Sequence, residues 1–241
     1  MKKRLISIII LVCLVSLFVC LLNLELTTSQ GINYELSTKR IPLYLKAGGF
    51  LYRHFSYQQL VKEIIDDAKS DKQKILAIFK WTHENIRQNI PKDYPIVDDH
   101  VFNIIIRLYG THDQSQDVFT ALCTYAGFRA FWIAIGTDDV KPMYITVSLV
   151  QLDGRWLVFD SFRGNYFLND KEEIASVEDI RKDLRICSNL VGLQPFIESI
   201  DYKKYFVNLE NPVKDIAITR AERQMPGKMF LHMLKKTFRL L

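Results

Sequence analysis

The stretch Tyr109-Gly110-Thr111-His112-Asp113-Gln114-Ser115-Gln116-Asp117-Val118-Phe119 leads into a predicted helix and decides how the middle of the chain folds. The helix is predicted from about Asp113 to Ala126, because apolar residues recur there at steps of three and four. These residues are Val118, Phe119, Leu122, Cys123 and Ala126. Gly127 is a natural stop, since glycine takes the left-handed conformation that ends many helices.

The hydrophobic period changes after this helix and predicts strands. Large and β-branched residues from Ala130 to Ile135 predict the first strand. Residues 143–152 and 155–159 predict two more, joined by Asp153-Gly154, a dipeptide typical of tight hairpin turns. Asp160 follows the last of them directly. Helices first and an antiparallel sheet afterwards predict an α+β fold.

Further helices are predicted on both sides of this region, with candidate N-caps at Ser56, Ser70, Asp98 and Ser176. The helix capped by Asp98 ends at Gly110, and the C-terminus turns helical again around a break at Pro226-Gly227. Asp98-Asp99-His100 resembles a metal cluster only superficially, because a helix cap followed by a first-turn acid explains it better. We therefore predict no metal site and no cofactor.

The N-terminus predicts a membrane-associated protein. Residues 2–4 are Lys-Lys-Arg, and residues 5–22 carry no charge. A helix of that length crosses a membrane, and positive charge stays on the cytoplasmic side. We predict a single-pass signal anchor over residues 1–27, with the rest of the chain extracytoplasmic, and a cleaved signal sequence is the alternative. Residues 28–55 are predicted to be a stalk, extended over 28–50, leading into a domain over 56–225.

Basic charge is concentrated at the two ends of the chain. Of the net charge of +5, residues 2–4 supply three positive charges and residues 228–239 supply four. Subtracting these seven leaves −2 for the body of the protein, which gives a nucleic-acid partner no support. Residues 226–241 are predicted to form a basic amphipathic helix. Its apolar side has two candidate partners, anionic lipid, which residues 228–241 would contact, and the domain itself.

Two cysteines, Cys123 and Cys187, follow the apolar N-terminal segment and would meet an oxidising compartment. The sequence leaves open whether the two form one disulfide or remain two buried thiols. Buried thiols are favoured, because Cys123 lies inside the apolar pattern of a helix. Trp81 and Trp156 are more typical of a core than of a substrate platform.

From about Asp71 to Leu184 the chain resembles the transglutaminase-like superfamily, the extracytoplasmic relatives of papain-fold cysteine enzymes. Four segments carry the resemblance in the expected order, at residues 71–87, 110–130, 153–160 and 176–180. The resemblance implies a papain-like core in which helices pack on an antiparallel sheet. It also implies a catalytic Cys at the start of the central helix, a His on the first hairpin strand and an Asp after the second.

The resemblance implies that two of these three residues are absent. The family spacing places the nucleophile fifteen residues before Gly127, at His112. The triad His belongs near residues 143–145, but no His occurs between His112 and His232. Only Asp160 remains of the triad. Cys123 lies eleven residues after His112, too far along the helix to replace the nucleophile.

Three roles are open for His112. It could cap a helix or bond the Asp160 carboxylate, bind a ligand in the former cleft, or act as a general base oriented by Asp160 or Asp113. Asp160 could equally hold the end of the hairpin. The residues expected to line the residual cleft are His112, Asp113, Gln114, Tyr144, Trp156 and Asp160.

These expectations combine into a membrane-anchored, extracytoplasmic transglutaminase-like domain that has lost its Cys and His. The hypothesis is a pseudoenzyme of the cell envelope, a non-catalytic binding or accessory protein with a peptide, glycan or protein partner. The alternative is an enzyme of altered chemistry, a hydrolase or acyl transferase, using His112 and Asp160. A third possibility is a structural accessory within a membrane complex.

Overall fold

The computed structural model describes residues 2–32, 35–88, 100–141, 143–193, 200–212 and 219–238. Helix α1 spans Lys2–Leu22. Within it, Arg4–Leu22 has a mean hydropathy of 3.3 and no buried residue, so it is long and apolar enough to cross a membrane. Such a helix is typical of a transmembrane anchor and of a signal sequence alike.

The segment after α1 differs from the extended stalk predicted over 28–50. Strands β1 (Glu25–Ile32) and β2 (Glu35–Pro42) form an antiparallel hairpin, and helix α2 (Leu43–Ile64) follows at once. Ser56 lies inside α2 and not at its N-terminus, and its hydroxyl donates to the carbonyl of Tyr52 at 2.9 Å. A serine can satisfy its hydroxyl in this way within a helix, so it need not mark a helix start.

Three helices follow α2, as the sequence predicted. They are α3 (Asp71–Asn85), α4 (Val101–Arg107) and α5 (His112–Tyr125). Ser70 caps α3 as predicted, since its hydroxyl accepts from the amide of Gln73 at 3.3 Å.

The ends of α4 differ from the prediction. Asp98 lies outside the described residues, and the N-cap of α4 is His100, whose Nδ1 accepts from the Phe102 amide at 3.2 Å. The helix ends at Arg107 with Leu108, which has a φ of 58°, as its C-cap, and does not extend to Gly110. A non-glycine residue thus takes the left-handed position that usually favours glycine.

A five-stranded antiparallel sheet occupies the second half of the chain. Its strands β3 to β7 lie side by side in chain order. They are Ala130–Gly136, Tyr144–Leu152, Arg155–Asp160, Asn165–Phe167 and Leu190–Gly192. The first three were predicted, and Asp153 and Gly154 have the positive φ angles of a tight hairpin turn. Strands β6 and β7 were missed, because three residues are too few for a period of two to be recognised.

Three short helices complete the described fold, α6 (Val177–Lys182), α7 (Lys203–Phe206) and α8 (Pro226–Phe238). The predicted cap of α6 is confirmed, since the Ser176 hydroxyl accepts from the Asp179 amide at 3.2 Å. Pro226 begins α8 rather than breaking it, because the first helical residue needs no amide donor. Of the two partners left open for the apolar side of α8, the described part of the domain leaves Phe230 62% exposed.

The sheet is covered on both faces, which explains why its strands are nearly continuous in apolar residues. Helices α2 to α5 share one core with the face of the sheet that carries Phe159. The opposite face carries Trp156 and Val158 and packs against α6 and α7. The α+β class with an antiparallel sheet is therefore confirmed. In this arrangement the N-terminus of α5 lies near the open end of the β4–β5 hairpin, where β4 begins and β5 ends.

Candidate functional site

The N-terminus of α5 is held by its own first turn. Gln114 is buried, and its Oε1 accepts from the Thr111 amide at 3.2 Å and from Nη2 of Arg107 at 2.7 Å. Asp113 is half-buried and accepts a hydrogen bond from the Thr111 hydroxyl. A glutamine at the third helical position that reaches back to the N-cap amide forms half of a capping box. The predicted site residues Asp113 and Gln114 therefore hold the end of the helix.

His112 is the first residue of α5 and is exposed to solvent. Its Nδ1 lies 3.3 Å from the hydroxyl oxygen of Thr146, and its ring stands edge-on to Phe162 with centroids 6.1 Å apart. Thr146 is therefore the strand residue that faces the first turn of the helix. It lies one position beyond residues 143–145, where the resemblance places the triad His.

Gln116, one turn further along α5, is the buried centre of a polar network. Its Nε2 donates to the Thr146 carbonyl at 3.0 Å and to Oδ1 of Asp160 at 3.1 Å. Its Oε1 accepts from the hydroxyls of Ser148 and Ser161, at 2.6 and 2.8 Å. One amide side chain thus joins α5 to strand β4 and to the end of strand β5. The sequence reasoning did not identify Gln116, although a polar residue on the buried side of a helix is a signal.

Asp160 is fully buried, and its carboxylate accepts four hydrogen bonds from protein groups. Besides the Gln116 amide, the donors are the Arg163 amide at 3.1 Å, the Arg163 guanidinium at 3.1 Å and the Tyr202 hydroxyl at 2.7 Å. Burial and the Asp160 charge raise the pKa of Tyr202, which keeps this phenol protonated and able to donate.

Asp160 and His112 share no hydrogen bond in the part of the chain that the structure describes. The imidazole contacts Thr146, and the carboxylate is occupied by Gln116, Arg163 and Tyr202. A base in hydrolytic sites is oriented by a hydrogen bond to the acid. In the described geometry Asp160 stabilises the end of the hairpin and does not orient His112.

The remaining two predicted site residues lie on opposite faces of the sheet. Tyr144 is 62% exposed and lies on the face of Thr146, because side chains two positions apart in a strand point the same way. Its ring covers Gly136, where an added Cβ would lie 2.9 Å from the ring. Trp156 is buried against Phe131 on the other face, with ring centroids 5.0 Å apart. The structure thus places Tyr144 on the face of the sheet that His112 contacts through Thr146, and Trp156 on the opposite face.

The thiols of Cys123 and Cys187 are free and protonated at neutral pH. Cys123, in the last turns of α5, is fully buried in the core, and burial raises its pKa well above the usual value. Burial also raises the pKa of Cys187, to about 11. A thiol acts as a nucleophile through its thiolate, so neither environment activates the sulfur.

A separate cavity of about 370 Å³ lies between α5, β3 and residues 219–224. The buried carboxylate of Asp117 stands in its wall and accepts from Nε1 of Trp132 at 2.8 Å and from Nη1 of Arg220 at 2.7 Å. The lining is mostly apolar, and neither His112 nor Asp160 contributes to it. The cavity is therefore distinct from the surface around the N-terminus of α5.

No protein-family model and no curated protein matches the chain. Solved structures that are similar to the chain include a provisionally named cysteine protease from Cytophaga hutchinsonii. It is 18% identical, and the match has a TM-score of 0.38 and covers 46% of this chain and 38% of that one. A provisionally named protease from Parabacteroides distasonis is 10% identical, with a TM-score of 0.35 over 56% of this chain and 35% of that one. This chain spans well under half the length of either. The similarity is weak and concerns the arrangement of helices and strands.

Proposed function

We propose that this protein is a membrane-anchored, extracytoplasmic domain of the cell envelope with a degenerate transglutaminase-like fold, which binds a partner and catalyses no acyl transfer. The observation that carries the proposal is a contact between the start of α5 and strand β4, where the His112 imidazole faces the Thr146 hydroxyl at 3.3 Å. Cysteine acyl transfer needs a thiol facing an imidazole at that point.

The setting of Asp160 supports the same proposal. Its carboxylate already accepts from Gln116, Arg163 and Tyr202 and is closed to solvent. To orient an imidazole, it would have to give up hydrogen bonds that are costly to leave unmade in a buried place. The frame that resembles a triad therefore has a structural use that requires no catalysis.

Partner binding is assigned to the exposed surface around His112. Tyr144 and His112 are exposed, Phe162 is half-buried, and all three are aromatic. Aromatic rings with a polar edge combine large contact area with hydrogen bonding, which suits the faces of sugars and extended peptides. The proposed partner is accordingly a peptide, a cell-envelope glycan or a protein segment.

The anchoring part of the proposal rests on α1. The Lys-Lys-Arg sequence at its start favours a cytoplasmic N-terminus, so the domain would face outward. Helix α8 would add a second contact with lipid through its exposed Phe230, Leu231 and Met233 and the basic Lys228 and Lys235.

A thiol-directed covalent inhibitor with a fluorescent tag tests the absence of cysteine chemistry. We expect the folded full-length protein in detergent to take up no label at Cys123, and the same protein unfolded in denaturant to take up label readily. The unfolded sample is the control for the chemical competence of the thiol. Rapid labelling of Cys123 in the folded protein would contradict the proposal.

Arrays of envelope glycan fragments and peptides test the binding part. We expect ligands retained by the full-length protein to bind about tenfold more weakly to the Tyr144→Ala and His112→Ala variants, since one aromatic contact contributes about 1–2 kcal/mol. Gln59→Ala, an exposed change on α2, is the matched control. Equal binding by all variants would place the partner site elsewhere.

His112→Ala also separates the rival hypothesis of an enzyme using His112 and Asp160. Under that hypothesis a hydrolase or acyl-transferase activity is present in the wild type and disappears in the variant, with the free energy of unfolding unchanged. Under the present proposal a screen of ester, amide and glycoside substrates shows no turnover in either protein.

A further inference from the structure

Helix α2 begins beside the end of α1. The amide of Leu43 donates to the carbonyl of Leu24 at 2.8 Å, and Pro42 pairs with Glu25 across the hairpin. Because α1 ends at Leu22, the first turn of α2 lies next to the point where the apolar span ends. This backbone connection fixes the start of α2 close to the membrane surface whenever α1 is inserted.

The outward face of α2 is apolar in its first half. Residues 44, 48, 51 and 55 follow one another at steps of three and four and therefore share one face of the helix. The large apolar residues on and beside this line are between 45% and 66% exposed: Tyr44, Leu45, Leu51, Tyr52 and Phe55. A contiguous exposed apolar face of this kind usually marks an interaction surface.

The same face becomes polar in the second half of the helix. Gln58, Gln59, Lys62 and Glu63 continue the line and are exposed. The apolar part covers eleven steps from Tyr44 to Phe55, or about 17 Å of helix. Apolar exposure is thus confined to the first half of α2, the half that follows the hairpin after α1.

The segment that contains the apolar part of this face carries basic residues and no acidic ones. The sequence contains no acidic residue between positions 36 and 62. Five basic residues lie in the same interval, at Lys39, Arg40, Lys46, Arg53 and Lys62. Basic side chains close to a membrane surface are attracted to anionic phospholipids.

We infer that residues 43–55 of α2 lie on the membrane surface, with the apolar stripe among the lipid headgroups and the exposed Lys39 and Arg40, just before the helix, near anionic phospholipids. The inference rests on the anchoring of α1 put forward under the proposed function. It adds that the domain is held against the bilayer by a second, interfacial helix. Tyr44, Tyr52 and Phe55 then occupy the depth at which aromatic side chains concentrate in membrane proteins.

Tryptophan fluorescence in brominated lipids tests the inference on the full-length protein. Tyr52→Trp places a reporter in the apolar stripe, and Gln59→Trp places one on the same face seven residues later, in the polar half. The wild type, with its Trp81, Trp132 and Trp156, supplies the background to be subtracted. Vesicles of phosphatidylglycerol and phosphatidylcholine, brominated near the headgroup end of the acyl chains, supply the quencher.

We expect the lipid bromines to quench roughly half or more of the fluorescence added at position 52 and little of that added at position 59, since an interfacial helix buries its apolar face about 5–10 Å deep. The quenching at position 52 should weaken in vesicles of phosphatidylcholine alone. Phe55→Trp serves as a second reporter if the Tyr52 variant loses its native circular dichroism.

Alkaline extraction of the same vesicles tells a failure of this inference from a failure of the anchor. If the protein is extracted, the anchoring of α1 is contradicted. If it stays in the membrane while positions 52 and 59 are quenched equally by lipid, the interfacial placement of α2 is wrong. Shielding of position 52 from both lipid bromines and aqueous iodide would also overturn it, by showing that protein or a second copy of the chain covers the stripe.

Discussion

His112 and Gln116 lie one turn apart on the same side of α5, yet their surroundings are opposite. His112 is exposed and has a single long polar contact, to Thr146. Gln116 is fully buried and hydrogen-bonds both neighbouring strands. The difference teaches that the buried polar residues below the first turn of α5 hold the fold together, while the exposed residues of that turn are the ones proposed to bind a partner.

The largest effect is expected from removing the carboxylate below Gln116. Asp160→Ala leaves the Arg163 guanidinium, the Tyr202 hydroxyl and the Gln116 amide without their acceptor. Breaking such a buried pair destabilises proteins by about 3–5 kcal/mol. Urea denaturation measures this loss. Asp113→Ala, which removes a half-buried carboxylate from the first turn of α5, is the control and should cost less than about 1 kcal/mol.

Gln116→Leu should have the next largest effect. Leucine fills a similar volume but leaves the hydroxyls of Ser148 and Ser161 and one oxygen of Asp160 without the amide, which costs about 2–3 kcal/mol. The free energy of unfolding should fall by that amount. Gln59→Leu, which changes an exposed side chain of α2, is the matched control. Equal stability of the two variants would show that the network is dispensable, and the contrast with His112 would disappear.

Replacing Asp179, a partly exposed carboxylate, is expected to have an effect on stability of intermediate size. Burial alone would raise its pKa, but the Ser176 amide and hydroxyl and the Arg155 guanidinium lower it below the usual value. The folded state therefore gains stability from this group above the pKa of the unfolded chain and loses it as pH falls further. Asp179→Asn should cost about 1 kcal/mol at pH 7, and the difference from wild type should shrink as pH falls below the ordinary Asp pKa of about 3.9 and through the lower pKa of the folded state. A constant difference across that range would contradict the assignment.

The smallest effect is expected at His112. An exposed side chain with one long contact contributes little, so His112→Ala should change the free energy of unfolding by no more than about 0.5 kcal/mol. A loss of stability as large as that of Gln116→Leu would mean that the His112 side chain has a structural role. The distinction between the exposed first turn of α5 and the buried turn below it would then disappear.

The parts of the fold that sequence predicted are those with a strong period. Helix α5 and the β4–β5 hairpin were predicted because their apolar residues recur at clear intervals and end at Gly127 and at Asp153-Gly154. The start of α2 was missed, since the apolar residues of its first half face outward and Gly48 and Gly49 lower its helix propensity. Prediction from the hydrophobic period assumes that the apolar side of a helix faces the core, so it cannot locate a helix whose apolar side faces outward.

The site was predicted less completely, for a physical reason. Thr146 could have been found from the alternation of strand β4, which places it on the face of Tyr144. The network of Gln116 could not, because its partners lie 30 to 45 residues away and meet it only in the folded chain. Trp156 was expected among the cleft residues although its type favoured a core position, and the pleat of strand β5 points it into the other core, as the second interpretation predicted.

The most direct test of the central claim is incorporation of a labelled primary amine into a glutamine peptide by the full-length protein in detergent. The wild type, Cys123→Ser and His112→Cys should all be inactive. A thiol at position 112 would still face Thr146 rather than an imidazole, and Cys123 is buried and protonated. Incorporation by the wild type that disappears in Cys123→Ser would contradict the account.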